Sequence, residues 1–293
     1  MRLALLRELS LSTRAPEAIL MCGFPAIGFA LALAGTPSVS VPRLAMFLLA
    51  TSLLSLGVYV FNGWCGVGHD LSNPRFRSNS ITNGAVPLAG ALAFSLVTST
   101  LSVAVFTVVE PTAAGLALVI FCLFAAYSHP GLRLKQGGVA PTLIHLAGGF
   151  LMIWLGYAMV RPLDEAGAVP AAFFSLVFTA GHFNHEALDM EADQCAGLRT
   201  RAVRWGARAS LAAGAAASAL AYLGLLAALL LSWPEVRHMA PFLVIAPLHG
   251  AAFTLALRSP THEAIRRYRQ AYRQLFLAAG IAYVFLIWLL HGR

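Results

Sequence analysis

Charge is scarce in this chain. Asp, Glu, Lys and Arg make up 11% of its 293 residues, and only 12 of them are acidic. A soluble domain carries about a quarter charged residues, so a water-soluble fold is excluded. Cysteine is sparse too. Cys22, Cys65, Cys122 and Cys195 show no CxxC spacing, which gives no disulfide framework and leaves them as small apolar packing residues. No stretch alternates apolar with polar residues, so a membrane barrel is excluded. No small-residue cleavage site follows a short apolar core after Arg2 and Arg7, and the start of the chain does not read as a signal peptide. Low-complexity linkers and a separate soluble segment are missing as well.

What is present is apolar: 59% of residues are hydrophobic and the mean hydropathy is +0.75. Spanning a bilayer takes roughly 20 apolar residues. Nine such stretches lie near 17–36, 42–64, 85–108, 112–127, 139–160, 168–187, 209–232, 239–257 and 274–291, the fourth being short. Gly and Ala inside them suit close-packed helices. The expectation is an all-α protein of nine transmembrane helices in a lipid bilayer, forming one domain over 1–293.

The net charge of +8 follows topology and is no nucleic-acid signature. With the N-terminus in the cytoplasm, 16 of the 20 basic residues fall on the inside, against Arg43, Arg161, Arg237 and Arg293 outside. The positive-inside rule therefore orients the chain, as for a multi-pass protein of a bacterial-type inner membrane. The longest polar segments, 65–84, 188–208 and 258–273, are then all cytoplasmic loops.

Against this background the acids cluster. Glu186, Asp189, Glu191 and Asp193 fall within eight residues, beside His182 and His185 and directly after an apolar span. On a helix, Glu186, Asp189 and Asp193 stand at i, i+3 and i+7 and share a face. Such groups at a bilayer edge are costly and usually functional. Carboxylates gathered in a poorly hydrated place need cations, so the segment reads as a metal site.

A second segment resembles the first. Asn62, Gly66 and Asp70 are spaced i, i+4, i+8, and Arg75 and Arg77 follow; Gly197, Arg199 and Arg201 follow the acidic run in the same way. Aligning Asp70 with Asp193 sets Gly66 opposite Asp189. The half-sites (62–84 and 182–208) close the second and sixth spans, which implies a pseudo-repeat of four helices with binding between the halves. A third element, Tyr127-Ser128-His129-Pro130-Gly131-Leu132-Arg133-Leu134-Lys135, joins spans four and five. Mg2+ takes oxygen ligands, keeps waters and bridges a few carboxylates to phosphates. Asp70, Asp189 and Asp193 supply carboxylates, and Arg and Lys neutralise a diphosphate. An anionic head with an apolar tail fits this boundary, which points to an isoprenyl diphosphate.

These residues resemble the UbiA superfamily of intramembrane prenyltransferases over nearly the whole chain. The carriers are Asn62-x-x-x-Gly66-x-x-x-Asp70, the run Asp189-Met-Glu-Ala-Asp193-Gln-Cys-Ala-Gly197-Leu-Arg199-Thr200, and the Tyr127-to-Lys135 loop. The resemblance implies a UbiA-like nine-helix bundle with Mg2+ as cofactor, held by Asp70, Asp189 and Asp193. It implies that Asn62, Tyr127 and Lys135 hold the diphosphate or close over it. Arg75 and Arg77 replace the charge of a basic residue that the family pattern has and this chain lacks, with His69 as a polar partner. Arg199 adds a diphosphate contact, and Glu186 reads as an outer-shell residue. The implied activity is transfer of the prenyl group to a small lipophilic or aromatic acceptor.

The family pattern has Asp where Gly66 stands, and an Arg-Pro-Leu-x-x-Gly run where this chain reads Asn79-Ser80-Ile81-Thr82-Asn83-Gly84. Related terpene cyclases ionise the same diphosphate and fold the cation onto its own double bonds, and Gly66 is compatible with that alternative. His185-Glu186-x-x-Asp189 also echoes the zinc-protease pattern HExxH with its last His replaced, but an intramembrane metalloprotease leaves the first half-site unexplained. A transporter needs polar groups near the midplane, whereas these acids gather at one end. His145 and His249 read as packed residues. Phe61, Trp64, Phe150, Trp154, Tyr157, Phe178 and Phe183 read as walls able to face an allylic cation.

Overall fold

A computed structural model describes residues 15–34, 39–71, 79–132, 134–136, 138–231 and 233–291. Among them there are helices and turns and no strand. In chain order the helices are α1 (Ala15–Leu33), α2 (Val41–Asp70), α3 (Leu88–Val109), α4 (Pro111–Ser128), α5 (Ala140–Ala158) and α6 (Glu165–Cys195). They continue as α7 (Arg201–Trp205), α8 (Ala207–Leu230), α9 (Ala240–Val244), α10 (Ala246–Arg258) and α11 (His262–His291). Eight helical stretches are long and apolar enough to cross a membrane, and the shorter Met21–Leu33 is a ninth apolar one.

Three elements differ from expectation. The sixth span does not stop near 187: α6 continues to Cys195 and carries the acidic run with the helical spacing expected of it. The eighth span is broken: a 3-10 turn (Pro234–Met239) leads into α9, and α10 starts afresh at Ala246. Pro241 and Pro247 are the second residues of those two helices, within the first turn, where a missing N–H costs nothing. The polar segment 258–273 was expected as a loop, yet α11 runs through it from His262. Its polar face is held by Glu263, which accepts from Arg266 Nε (2.7 Å) and Arg267 Nε (2.8 Å), while Ile265 and Tyr268 on the other face are buried.

Lipid gives apolar side chains no reason to leave it, so helix packing here rests on small residues and hydroxyls. At the α1–α5 crossing a Cβ on Gly156 would stand 1.8 Å from Pro25 O, and one on Gly28 would stand 2.0 Å from Ile153 O. Between α2 and α3, Ser95 Oγ donates to Gly57 O and Ser102 Oγ to Ala50 O, both at 2.7 Å. Leu48, Leu101, Leu220 and Leu223 point outward and are exposed, as a lipid-facing surface requires.

The two ends of the bundle differ chemically. At one end Arg43 donates to Met159 O (2.7 Å) and pairs with Glu110, while Asp164 caps α6 by accepting from Gly167 N (3.1 Å) and Tyr157 Oη (2.6 Å). The acid-bearing ends of α2 and α6 lie at the other.

Candidate active site

The first half-site is the last two turns of α2. Asn62 Nδ2 donates to Ser128 Oγ at 3.0 Å, and Ser128 in turn donates to Phe124 O. This ties α2 to the residue after Tyr127. Asp70 is buried at the end of the helix. A Cβ added to Gly66 would stand 3.5 Å from Asp70 Oδ2, so the missing side chain would have lain directly against that carboxylate. Asn73, Pro74, Arg75, Phe76, Arg77 and Arg133 lie outside the described residues, as does the His69 side chain. Asn79–Gly84 forms a turn in which Asn79 Oδ1 accepts from Ile81 N.

The second half-site is the C-terminal third of α6. Asp193 is buried, and Asp189 is mostly covered, with its Oδ2 3.4 Å from His185 Nδ1. Glu186 points elsewhere. Its carboxylate meets Arg201 through Nε (3.2 Å) and Nη2 (3.4 Å), and His182 Nε2 lies 3.2 Å away. Arg201 also donates to Thr142 Oγ1 on α5 and covers the Phe183 ring at 4.4 Å. The chain returns because α6 ends in a left-handed Gly197 (φ 70°): Leu198 N donates to Asp193 O and Gly197 N to Gln194 O, which satisfies the last carbonyls. That turn throws Arg199 and Arg201 back over the acid-bearing helix end.

The third element closes the set. Tyr127 is buried at the end of α4, edge-on to His145 (5.1 Å) and His182 (6.0 Å). Past His129 the chain makes a 3-10 turn, Leu134–Gln136, that carries Lys135. Gln136 O accepts from Arg204 Nη2 (2.9 Å) and its side-chain oxygen from Arg199 N (3.4 Å). Lys135 and Arg199, far apart in sequence, are thus held on two loops that bind each other. Lys135 is the single lysine of the chain, against 19 arginines.

The structure therefore joins Asn62 with the Tyr127 loop, and that loop with both His182 and Arg199. No three His, Cys, Asp or Glu side chains among the described residues are grouped closely enough to enclose a metal ion. Sequence reasoning missed two partners. Arg201 reads from the sequence as part of the basic run or as a topology signal, yet its guanidinium is buried against Glu186. His145 was read as packing, yet its ring stacks on His182 with centroids 3.6 Å apart and planes within 10°. A polar residue alone in an apolar span was the available signal for His145.

The expected aromatic walls divide. Phe178 stacks on His145 (5.3 Å) and Phe183 lies under Arg201. Phe61 pairs with Trp64, and Phe150 with Trp154. Tyr157 belongs to the far end, on Asp164, and cannot be a wall of this site.

Fold and ionisable residues together define a multi-pass helical membrane protein with a repeated acidic helix end. The UbiA prenyltransferase family model matches residues 22–290, and the chain belongs to that family. Protoheme IX farnesyltransferase 1 of Natronomonas pharaonis is 30% identical over 167 residues, which cover 57% of this chain and 36% of that protein. The match thus spans little more than a third of that relative. A UbiA homolog from Archaeoglobus fulgidus, solved bound to DMAPP and Mg2+, superposes with a TM-score of 0.73 at 15% identity, covering 94% of this chain and 99% of its own. The apo UbiA homolog from Aeropyrum pernix K1 gives 0.70 at 18% identity, over 96% and 99%. At these identities the likeness establishes the fold.

Proposed function

We propose that this protein ionises an isoprenyl diphosphate in the membrane and transfers the prenyl group to a small lipophilic or aromatic acceptor. The observation that carries the reading is the pair of buried carboxylates, Asp70 and Asp193, each ending a membrane-spanning helix in the two halves of a UbiA fold. A buried carboxylate is stabilised by positive charge beside it. The oxygen-rich donors Asp70, Asp189 and Asp193 fit Mg2+, which uses few protein carboxylates and completes its shell with water and phosphate oxygens. A closed cage of protein ligands is therefore not required. The homolog from Archaeoglobus fulgidus was solved with both DMAPP and Mg2+.

In this reading Asn62, Tyr127, Lys135, Arg199 and Arg77 hold or cover the diphosphate. The Gln136–Arg199 and Gln136–Arg204 hydrogen bonds keep the two basic loops together over it. When bound, Mg2+ supplies Lewis-acid neutralisation of the leaving diphosphate. The chain adds preorganised positive charge where the leaving group develops its negative charge. Glu186 is the counter-ion of Arg201 and supports the site from behind. The loops carrying these residues face the cytoplasm by the positive-inside rule.

Gly66 favours one second reading, cyclisation of the isoprenyl diphosphate on itself. The removed carboxylate changes the half-site that would otherwise match Asp189. One assay separates the two. Purified protein is given farnesyl or geranylgeranyl diphosphate with Mg2+ and no acceptor; cyclic hydrocarbons or alcohols favour cyclisation. Turnover only after a phenolic, quinone-precursor or lipid acceptor is added favours transfer. Asp189→Ala and Asp193→Ala should each abolish diphosphate release, and full activity in both would overturn the whole assignment.

A further inference from the structure

We infer that the stacked imidazoles of His145 and His182 take up the proton that must leave when the allylic cation is quenched. The inference rests on the reading above, and it applies to transfer and cyclisation alike. In transfer, the C–O bond to diphosphate breaks with its electron pair on oxygen. Acceptor π electrons form the new C–C bond, and the C–H pair restores the acceptor as its proton leaves. In cyclisation the last step breaks a C–H bond to make C=C, and again releases one proton.

The geometry meets that need. His145 Nδ1 lies 2.7 Å from Pro141 O. A carbonyl only accepts, so Nδ1 carries the hydrogen and Nε2 keeps its lone pair. His182, face to face with it at 3.6 Å, has Nε2 against the Glu186 carboxylate, which is ready to balance an imidazolium. Two parallel rings this close share one positive charge between them rather than carrying two.

Depth also fits. His182 lies seven residues before Asp189, about 10 Å further into the bilayer along α6. That is the level of the organic part of the substrate, not of its phosphates. Tyr127 and Phe124 from α4 meet the pair edge-on, and Phe178 from α6 stacks on His145. The charged or titratable groups acting on it are Tyr127, Glu186, Arg201 and Lys135.

The test reads the split among products, whatever the overall rate. Full-length protein in nanodiscs receives farnesyl diphosphate, Mg2+ and 4-hydroxybenzoate as the acceptor probe. Products that must lose a C–H proton to a base (the proton-loss products: prenylated probe and olefin) are compared with farnesol, whose proton leaves from captured water straight to solvent. In His145→Gln and His182→Phe the ratio of proton-loss products to farnesol should fall by on the order of 100-fold, the usual contribution of a positioned base. Free imidazole should restore the ratio in His145→Ala. Unchanged ratios in the first two variants would overturn the inference while leaving the proposed function standing. So would farnesol as the only product of the wild type. Loss of diphosphate release in folded variants would place the rings in ionisation and overturn it as well. No diphosphate release by the wild type from any isoprenyl diphosphate would instead sink the proposed function, and this inference with it.

Discussion

Glu186 and Arg201 form a buried ion pair across the end of the second half-site, with both side chains only 5% exposed and two N–O distances of 3.2 and 3.4 Å. Arg201 is shared further with Thr142 and Phe183, so one guanidinium binds α5, α6 and α7 together.

Breaking such a pair leaves a buried charge without a partner, at a cost of about 3–5 kcal/mol. Arg201→Ala should therefore lower the melting temperature in detergent sharply. Replacing both partners, as in Glu186→Leu with Arg201→Met, should recover most of the loss. Equal melting temperatures for Arg201→Ala and the wild type would contradict the buried pair.

The α1–α5 crossing has no room for a methyl group. Gly156→Ala places its Cβ 1.8 Å from the Pro25 carbonyl oxygen, and backbone cannot give way cheaply. The expected loss is at least about 1–3 kcal/mol. Gly224→Ala, with nothing within 4 Å, is the matched control. It should be neutral or gain up to about 1 kcal/mol, because alanine is the better helix former. Thermal melts of the two variants decide the point.

Gly66→Asp restores the acid that the family pattern carries. The Cβ meets Asp70 Oδ2 at 3.5 Å, an ordinary contact, so the change fits sterically. Two carboxylates side by side repel unless a cation lies between them. The variant should melt lower than the wild type in EDTA, and the gap should close as Mg2+ is added. A gap independent of Mg2+ would show that this helix face is not turned toward the metal.

Lys135 offers a direct chemical readout because it is the single lysine. Its labelling by an amine-reactive reagent, mapped by mass spectrometry, should be suppressed by an isoprenyl diphosphate with Mg2+ and not by either alone. Labelling that ignores both would remove Lys135 from the diphosphate site.

Cys195, exposed just past Asp193, reports orientation. In sealed spheroplasts a membrane-impermeant maleimide should leave it unmodified, whereas inverted vesicles should expose it. Cys122 is exposed on the spanning helix α4 and should stay unreactive in both, being covered by lipid. The reverse pattern at Cys195 would overturn the charge-based topology.

Much of this was legible in the linear chain, for physical reasons that can be named. Apolar runs long enough for a bilayer are a one-dimensional property, so the helices were readable, down to the short first one. Acids are rare enough here that four within eight residues stood out, but the i, i+3, i+7 spacing grouped Glu186 with Asp189 and Asp193, whereas the Glu186 carboxylate turns to Arg201. Less legible were the breaks. Pro241 and Pro247 mark where the eighth span restarts, but a run of apolar residues looks continuous when only hydropathy is followed. The start of α11 was taken for a loop because its polar residues hid the buried face of Ile265 and Tyr268.

The sequence by itself determined that the chain is rich in membrane-length apolar runs, that the segments around Asp70 and Asp193 share a spacing, and that Gly66 falls opposite Asp189 in that alignment. Those are matters of composition and spacing. Only the tertiary structure decided who meets whom: that Glu186 answers Arg201, that Tyr157 belongs to the opposite end, and that His145 lies flat on His182. Hydropathy says how deep a residue sits. It does not say which face of which neighbouring helix it will touch. That was settled by the close glycine crossings, the hydroxyl contacts between helices and the left-handed turn at Gly197.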